Sequence, residues 1–162
     1  MKSLLSICLS LALLLGAGCS KFVAYTGPEV TRVEVSKSTR SMTLWHHDAI
    51  LEIYEVELGF EPLGHKSEEG DGRTPEGDYI VDRRNPNSEF YLSIGIDYPN
   101  TADIAAAEEA GIDPGGDIFI HGTPRPFAQV DDWTAGCIAV TNRQMRQIYA
   151  MVQDGTPITI LP

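Results

Sequence analysis

From Tyr54 to Leu58 apolar and acidic side chains alternate strictly, as Tyr54-Glu55-Val56-Glu57-Leu58. A two-residue period belongs to a strand with one face turned inward. Short blocks of the same kind recur along the chain. Val30 to Val35 sets β-branched residues against charged ones, and Met42 to Trp45 follows a polar break at Ser36 to Ser41. Further strands are expected from Ala49 to Leu58, Asp78 to Asp82, Phe90 to Ile96, Ile118 to Ile120 and Pro157 to Leu161. The strand holding Leu92, Ile94 and Ile96 should be central, and Arg83 to Asn87 should be the turn before it. Two segments read as helices. One starts at a cap on Asn100 or Thr101 and stops at Gly111; the other runs from about Asn142 to Val152, with Met145, Ile148, Tyr149 and Val152 on one stripe. The sum is a mainly β domain, a sheet or sandwich with two short helices.

The N-terminus constrains the compartment. Met1-Lys2 leads into an apolar run from Leu4 to Leu15 and then into Gly16-Ala17-Gly18-Cys19. The run is too short to span a bilayer, which takes about 20 residues, and it reads as a bacterial signal peptide over residues 1–18. The small residues before Cys19 resemble a lipobox, with Gly16 where leucine is usual and Leu15 one place further out. On this reading Cys19 carries lipid and residues 19–29 form a tether. Ser20 after it fits the outer-membrane sorting pattern of Gram-negative lipoproteins, so the expected location is periplasmic and lipid-anchored.

Lys and Arg number 12 against 23 Asp and Glu, a net charge of -11. That balance supplies no basic surface to track phosphates, so nucleic acid is not an expected partner. With Cys8 in the removed segment and Cys19 lipidated, Cys137 is left as the one thiol of the folded domain. In an oxidising compartment an unpaired thiol invites a reactive role. His121, at the end of the Ile118-Phe119-Ile120 strand, supplies a base for it. A buried cysteine is more often a small apolar filler, and the pair alone does not decide the matter.

Other candidates read more plainly. His46-His47-Asp48 is a hairpin tip, since neighbours on a strand face opposite ways and do not ligate one ion. Gly64 to Gly77, rich in glycine and charge, is a long loop. Arg125, Asp131 and Asp132 lie on the connection between His121 and Cys137, read as a substrate-facing or simply solvated loop. Arg143 lies off the apolar stripe of its helix, either solvated or facing the Cys137 pocket. No nucleotide loop, dinucleotide fingerprint or metal cluster is present in the pattern, so neither cofactor nor metal is expected.

Three blocks carry a resemblance to a known family: Gly70-Asp71-Gly72-Arg73-Thr74-Pro75-Glu76-Gly77-Asp78-Tyr79, Ile120-His121-Gly122, and Thr134-Ala135-Gly136-Cys137-Ile138. In that order, behind an export signal, they resemble the L,D-transpeptidase catalytic domain of the YkuD family, over about Val30 to Leu161. The resemblance implies a domain at residues 30–162 with a β-sandwich of that type and two short helices. It implies an enzyme that acts on peptidoglycan stem peptides through a thioester. Cys137 matches the nucleophile, His121 the general base, and Gly122 the position whose carbonyl orients the imidazole. Gly136 and Cys137 would supply the oxyanion hole, and Thr134 matches the Ser/Thr of the motif, on the substrate side. Many members carry a histidine or basic residue where this chain has Ala135, a difference that bears on the acceptor. Two alternatives keep the same groove: a hydrolase, either an L,D-carboxypeptidase or an amidase releasing wall-linked lipoprotein, and a peptidoglycan-binding lipoprotein without activity. An activated thiolate would label well below the ordinary thiol pKa of about 8.5.

Overall fold

The computed structural model describes residues 20–162. The expected signal peptide and the Cys19 anchor lie outside them. Eight strands and two helices follow in the order β1 Arg32–Ser36, β2 Ser41–His46, β3 Ala49–Glu55, β4 Gly77–Asn85, β5 Ser93–Ile96, α1 Thr101–Ala110, β6 Phe119–Gly122, β7 Ile138–Val140, α2 Asn142–Met151 and β8 Pro157–Leu161. They form one sheet, ordered β3-β2-β1-β8-β4-β5-β6-β7. β1 pairs β8 and β6 pairs β7 in parallel; the other neighbours are antiparallel.

The two outer strands are joined by the chain that follows β3. Glu57 and Ala139 exchange both backbone hydrogen bonds, at 2.9 and 2.8 Å, and the Phe60 N–H donates to the Thr134 carbonyl at 2.9 Å. The sheet thereby curls into a near-barrel, which covers edges that would otherwise be open. Alternate residues fill its interior: Val33 and Val35, Met42 and Leu44, Tyr54, Val56 and Leu58, Ile158 and Ile160 are all buried. The Tyr54 to Leu58 period thus reports burial correctly, although the regular strand stops at Glu55.

Both helices are capped from within. The Asn100 side chain accepts the Ala102 and Asp103 N–H groups, and Gly111 closes α1 in the left-handed region. Thr141 caps α2, whose Met145, Ile148 and Met151 are buried. α1 buries only Ala107 and lies on the surface.

Three sequence expectations shift. β4 runs on through Arg83, Arg84 and Asn85, where a turn was expected. Both guanidinium groups have partners that hold them on the strand: Arg83 lies over Phe119 and donates to the Ile96 carbonyl, while Arg84 lies over Tyr149 and bonds the carbonyls of Tyr149 and Val152. β5 begins at Ser93, because the chain turns at Tyr91 with a φ of 78°. It is central as expected, with all four residues buried. β7 was not anticipated at all. Within the expected tether, Lys21 donates to the Pro86 carbonyl and the Phe22 ring lies 6.1 Å from that of Tyr149. The hairpin at His46 to Ala49 is present, with His47 at a φ of 52°.

Candidate active site

The parallel pairing of β6 with β7 creates the site. Ile120 is opposite Ile138 and His121 opposite Ala139, so Cys137, one residue before β7, lies beside Phe119 at the start of β6. Cys137 is half-buried and is the free cysteine of the described residues. Its sulfur lies 3.5 Å from the Asp117 carbonyl. His121 and Cys137 both line a cavity of about 380 Å3, together with Asn85, Phe90, Ser93 and Asp117.

His121 is held on three sides. Its Nδ1 is 2.8 Å from the Gly122 carbonyl. A carbonyl only accepts, so Nδ1 carries the proton and Nε2 is left with a free lone pair. The Phe90 ring stacks on the imidazole at 4.5 Å and Trp133 meets it edge-on at 5.6 Å. Phe127 in turn stacks on Trp133 at 4.4 Å. Burial in this aromatic shell pushes the His121 pKa down, against the opposing pull of the Gly122 carbonyl.

Burial also pushes the Cys137 thiol up, partly offset by the backbone N–H of Phe119; the Asp117 charge adds to the rise, while Lys66 and Arg83 oppose it. Both shifts favour the uncharged form, thiol on Cys137 and imidazole on His121. Two neutral groups suit proton transfer at the moment of attack rather than a standing ion pair.

The turn before Cys137 is built around Thr134 and Gly136. Thr134 is buried; its hydroxyl donates to the Cys137 carbonyl at 2.7 Å and accepts the Gly136 N–H at 3.1 Å. The hydroxyl, which the motif places on the substrate side, here clasps the turn. Gly136 has a φ of +131°, and a Cβ there would stand 2.6 Å from the Arg73 carbonyl oxygen. Only glycine fits. The Gly136 N–H is taken by Thr134, whereas the Cys137 N–H has no acceptor among the described residues. Of the two expected oxyanion donors, the structure leaves Cys137 free.

The remaining candidates fall outside the cleft. Arg125, in a 3-10 turn at Arg125–Phe127, and Arg143 on α2 are both exposed, and neither lines the Cys137 cavity. Asp132 is structural: it pairs with Arg40 at 2.6 Å, accepts the Leu58 N–H at 3.1 Å, and its own N–H donates to Glu57. Glu76 pairs with the buried Lys37 at 2.8 Å and its N–H donates to His65, which fixes the long loop. The residue that organises that loop was missed. Asp71 accepts the N–H groups of Ser67, Glu68 and Arg73 and the ammonium of Lys66. Burial alone would raise its pKa, but these donors hold it at about 2. No group of His, Cys, Asp and Glu among the described residues is arranged to hold a metal ion.

These features define a class: a closed, mostly β domain that presents one thiol and one buried, carbonyl-oriented imidazole in a common cleft. The chain belongs to the YkuD family, the L,D-transpeptidase catalytic domain, whose sequence pattern matches residues 30–160. It is similar to YafK of Escherichia coli (strain K12), named as a candidate L,D-transpeptidase, with 30% identity over 126 residues that cover 74% of this chain and 46% of YafK. Among solved structures it is similar to the helical cell shape determining protein Pgp2 of Campylobacter jejuni, at 28% identity and a TM-score of 0.65, covering 86% of this chain and 49% of that one. An L,D-transpeptidase from Mycobacterium smegmatis shares the fold at 13% identity, with a TM-score of 0.56 over 82% of this chain and 59% of that one. The chain spans about half the length of YafK and Pgp2.

Proposed function

We propose that this protein is a cysteine acyltransferase of the bacterial cell wall, an L,D-transpeptidase that works on peptidoglycan stem peptides. The observation that carries the reading is the oriented pair: the Gly122 carbonyl fixes the tautomer of His121, and Cys137 shares its cavity. Family membership and the peptidoglycan chemistry of L,D-transpeptidases support the substrate class.

The geometry suits the following sequence. His121 Nε2 takes the proton of the Cys137 thiol as the sulfur attacks the carbonyl carbon of the L-centre that precedes a D-residue. The carbonyl oxygen becomes an oxyanion and accepts the Cys137 N–H. The tetrahedral adduct collapses, the amide C–N bond breaks, and imidazolium Nε2–H gives its proton to the departing amine. A thioester remains on Cys137. An acceptor amine then loses its proton to His121 and attacks the thioester, forming a new amide and returning the thiol. The Gly122 carbonyl also steadies the imidazolium during both half-reactions.

Export through residues 1–18 and lipid attachment at Cys19 would place the domain in the periplasm, at the outer membrane of a Gram-negative cell. The sequence before Ser20 motivates this part of the proposal. Globomycin sensitivity of processing and the mass of the mature N-terminus test it: an unmodified Cys19 or cleavage elsewhere removes the anchor.

Incubation with disaccharide tetrapeptides, with and without an added D-amino acid, followed by mass spectrometry of the products, tests the activity. Exchange of the terminal residue or a cross-linked dimer, lost in Cys137→Ala, is the expected result. Release of the terminal residue alone, unchanged by amine, would make the protein a hydrolase instead. Absence of both would leave only binding.

A further inference from the structure

Cys137 stands between two cavities. His121 belongs to the first. The second, about 370 Å3, lies on the other side of the sulfur and is walled by Lys66, Glu69, Gly115, Asp117 and Ala135. Its wall has one cation, Lys66, and two carboxylates, Glu69 and Asp117, of which Asp117 lies 3.6 Å from the Arg83 guanidinium outside the cavity. Glu69 and Asp117 are exposed, whereas Lys66 is only 3% exposed. A buried ammonium is costly to desolvate and needs partners. Lys66 has two: Nζ donates to the Glu68 carbonyl at 2.8 Å and to Asp71 at 2.9 Å. An ammonium carries three protons, so one remains. Asp71 balances the formal charge, but its oxygens also take three backbone N–H groups, so the third ammonium proton is left for another acceptor. The same positive charge bears on the Cys137 thiol. Ala135 contributes only a methyl group and Gly115 no side chain, which leaves room for a ligand between Lys66 and the sulfur.

We propose that Lys66 is a specificity-determining residue: its third N–H binds a carboxylate of the substrate segment lodged beside Cys137 on the side away from His121. Glu69, whose carboxylate has no ion-pair partner among the described residues, faces the ammonium next to that carboxylate, so the cavity takes a zwitterionic amino-acid centre. A phosphate is disfavoured, since a dianion would meet the carboxylate of Glu69 beside a cation already paired with Asp71. This proposal rests on the stem-peptide reading above and adds to it the group that is recognised.

The test uses the mature protein carrying Cys137→Ala, so that peptide binds without turnover. The probes are L-Ala-γ-D-Glu-meso-diaminopimelate-D-Ala and the same peptide with its free carboxylates amidated one at a time. Calorimetry should show that one of the amides binds at least about tenfold more weakly than the acid, the loss expected for a charged hydrogen bond. Lys66→Gln should abolish that difference, binding acid and amide alike, while Lys66→Arg should keep the preference for the acid. Glu69→Gln, at an exposed position, should weaken the peptide but not its N-acetylated form at diaminopimelate, which gives a second reading if Lys66→Gln does not fold. Equal binding of acid and amides by the parent, no binding at all, or undiminished discrimination in Lys66→Gln overturns the proposal. Turnover by the protein with Cys137 intact is scored separately. Lys66-dependent discrimination without turnover would keep this site and remove the transferase; turnover with Lys66-independent discrimination would do the reverse.

Discussion

Thr134→Val separates a clasp from a substrate contact. Valine has nearly the shape of threonine, so the change opens no cavity and removes only the hydroxyl. Two bonds go with it, the part-buried 2.7 Å bond to the Cys137 carbonyl and the buried 3.1 Å bond from the Gly136 N–H. A buried polar group left without a partner costs about 1–3 kcal/mol. Two such groups, one beside a half-exposed cysteine that water can reach, give about 2–4 kcal/mol in all. For a domain of this size that lowers the midpoint of thermal unfolding by roughly 10 °C. The turn that sets the Cys137 sulfur would also loosen. The assay pairs urea unfolding with single-turnover acylation of Cys137. The expected outcome is the stability loss above, an acylation rate down at least about tenfold, little change in the peptide concentration at half-saturation, and rescue of both by Thr134→Ser. If Thr134→Val unfolds within about 0.5 kcal/mol of the parent and changes only half-saturation, the clasp reasoning is wrong and Thr134 touches substrate.

Further outcomes follow from the same geometry. His121 has a folded pKa below its ordinary value, so the base is already neutral at acidic pH; the acidic limb of the acylation rate should fall below about pH 6.5. The sign for stability follows: near pH 6.5 the unfolded chain binds more protons at this position, so stability rises with pH there and is lost as pH falls. Phe90→Ala removes the stacked ring and admits water to the imidazole, so the acidic limb should move up toward pH 6.5; an unmoved limb in a folded variant would contradict the burial argument. Iodoacetamide labelling of Cys137 against pH should have its midpoint above the ordinary thiol value of about 8.5, and a midpoint near 6 would show a standing ion pair instead. Lys37→Met strips Glu76 and the Thr74 carbonyl of their buried partner and should cost roughly 3 kcal/mol in denaturant unfolding; a cost under about 1 kcal/mol would mean that Glu76 regains water freely.

What could be read without coordinates was local. The cap at Asn100, one of two residues the pattern allows, the stop at Gly111 and the β8 strand depend on near neighbours and on period, and they fall where the pattern places them. So does the pairing of His121 with Cys137 in one cleft. β7 escaped because three residues cannot display a period and all three are buried, so Ile138, Ala139 and Val140 show no alternation. The Phe90, Trp133 and Phe127 shell escaped because Phe90 lies far in the chain from the other two and meets Trp133 and His121 only when the segment before β5 comes beside the loop after β6. Thr134 and Asp132 lie near Cys137 in the chain, but their side chains bond to the protein's own turn and to Arg40. Sequence distance fixes which residues are close to Cys137, not whether a hydroxyl turns toward substrate or toward its own backbone. The Lys66 and Asp71 pair was hidden in a segment whose glycines and charges mark a loop and nothing more.

The central claim is that Cys137 carries the acyl group. Intact-mass spectrometry of the protein after brief exposure to a stem tetrapeptide, with peptide mapping of the adduct, tests it most directly. The account expects an increment equal to the donor less its terminal D-residue, released by hydroxylamine, mapped to Cys137 and missing from both Cys137→Ala and His121→Ala. An adduct mapped to another residue, or turnover that persists in Cys137→Ala, would contradict it.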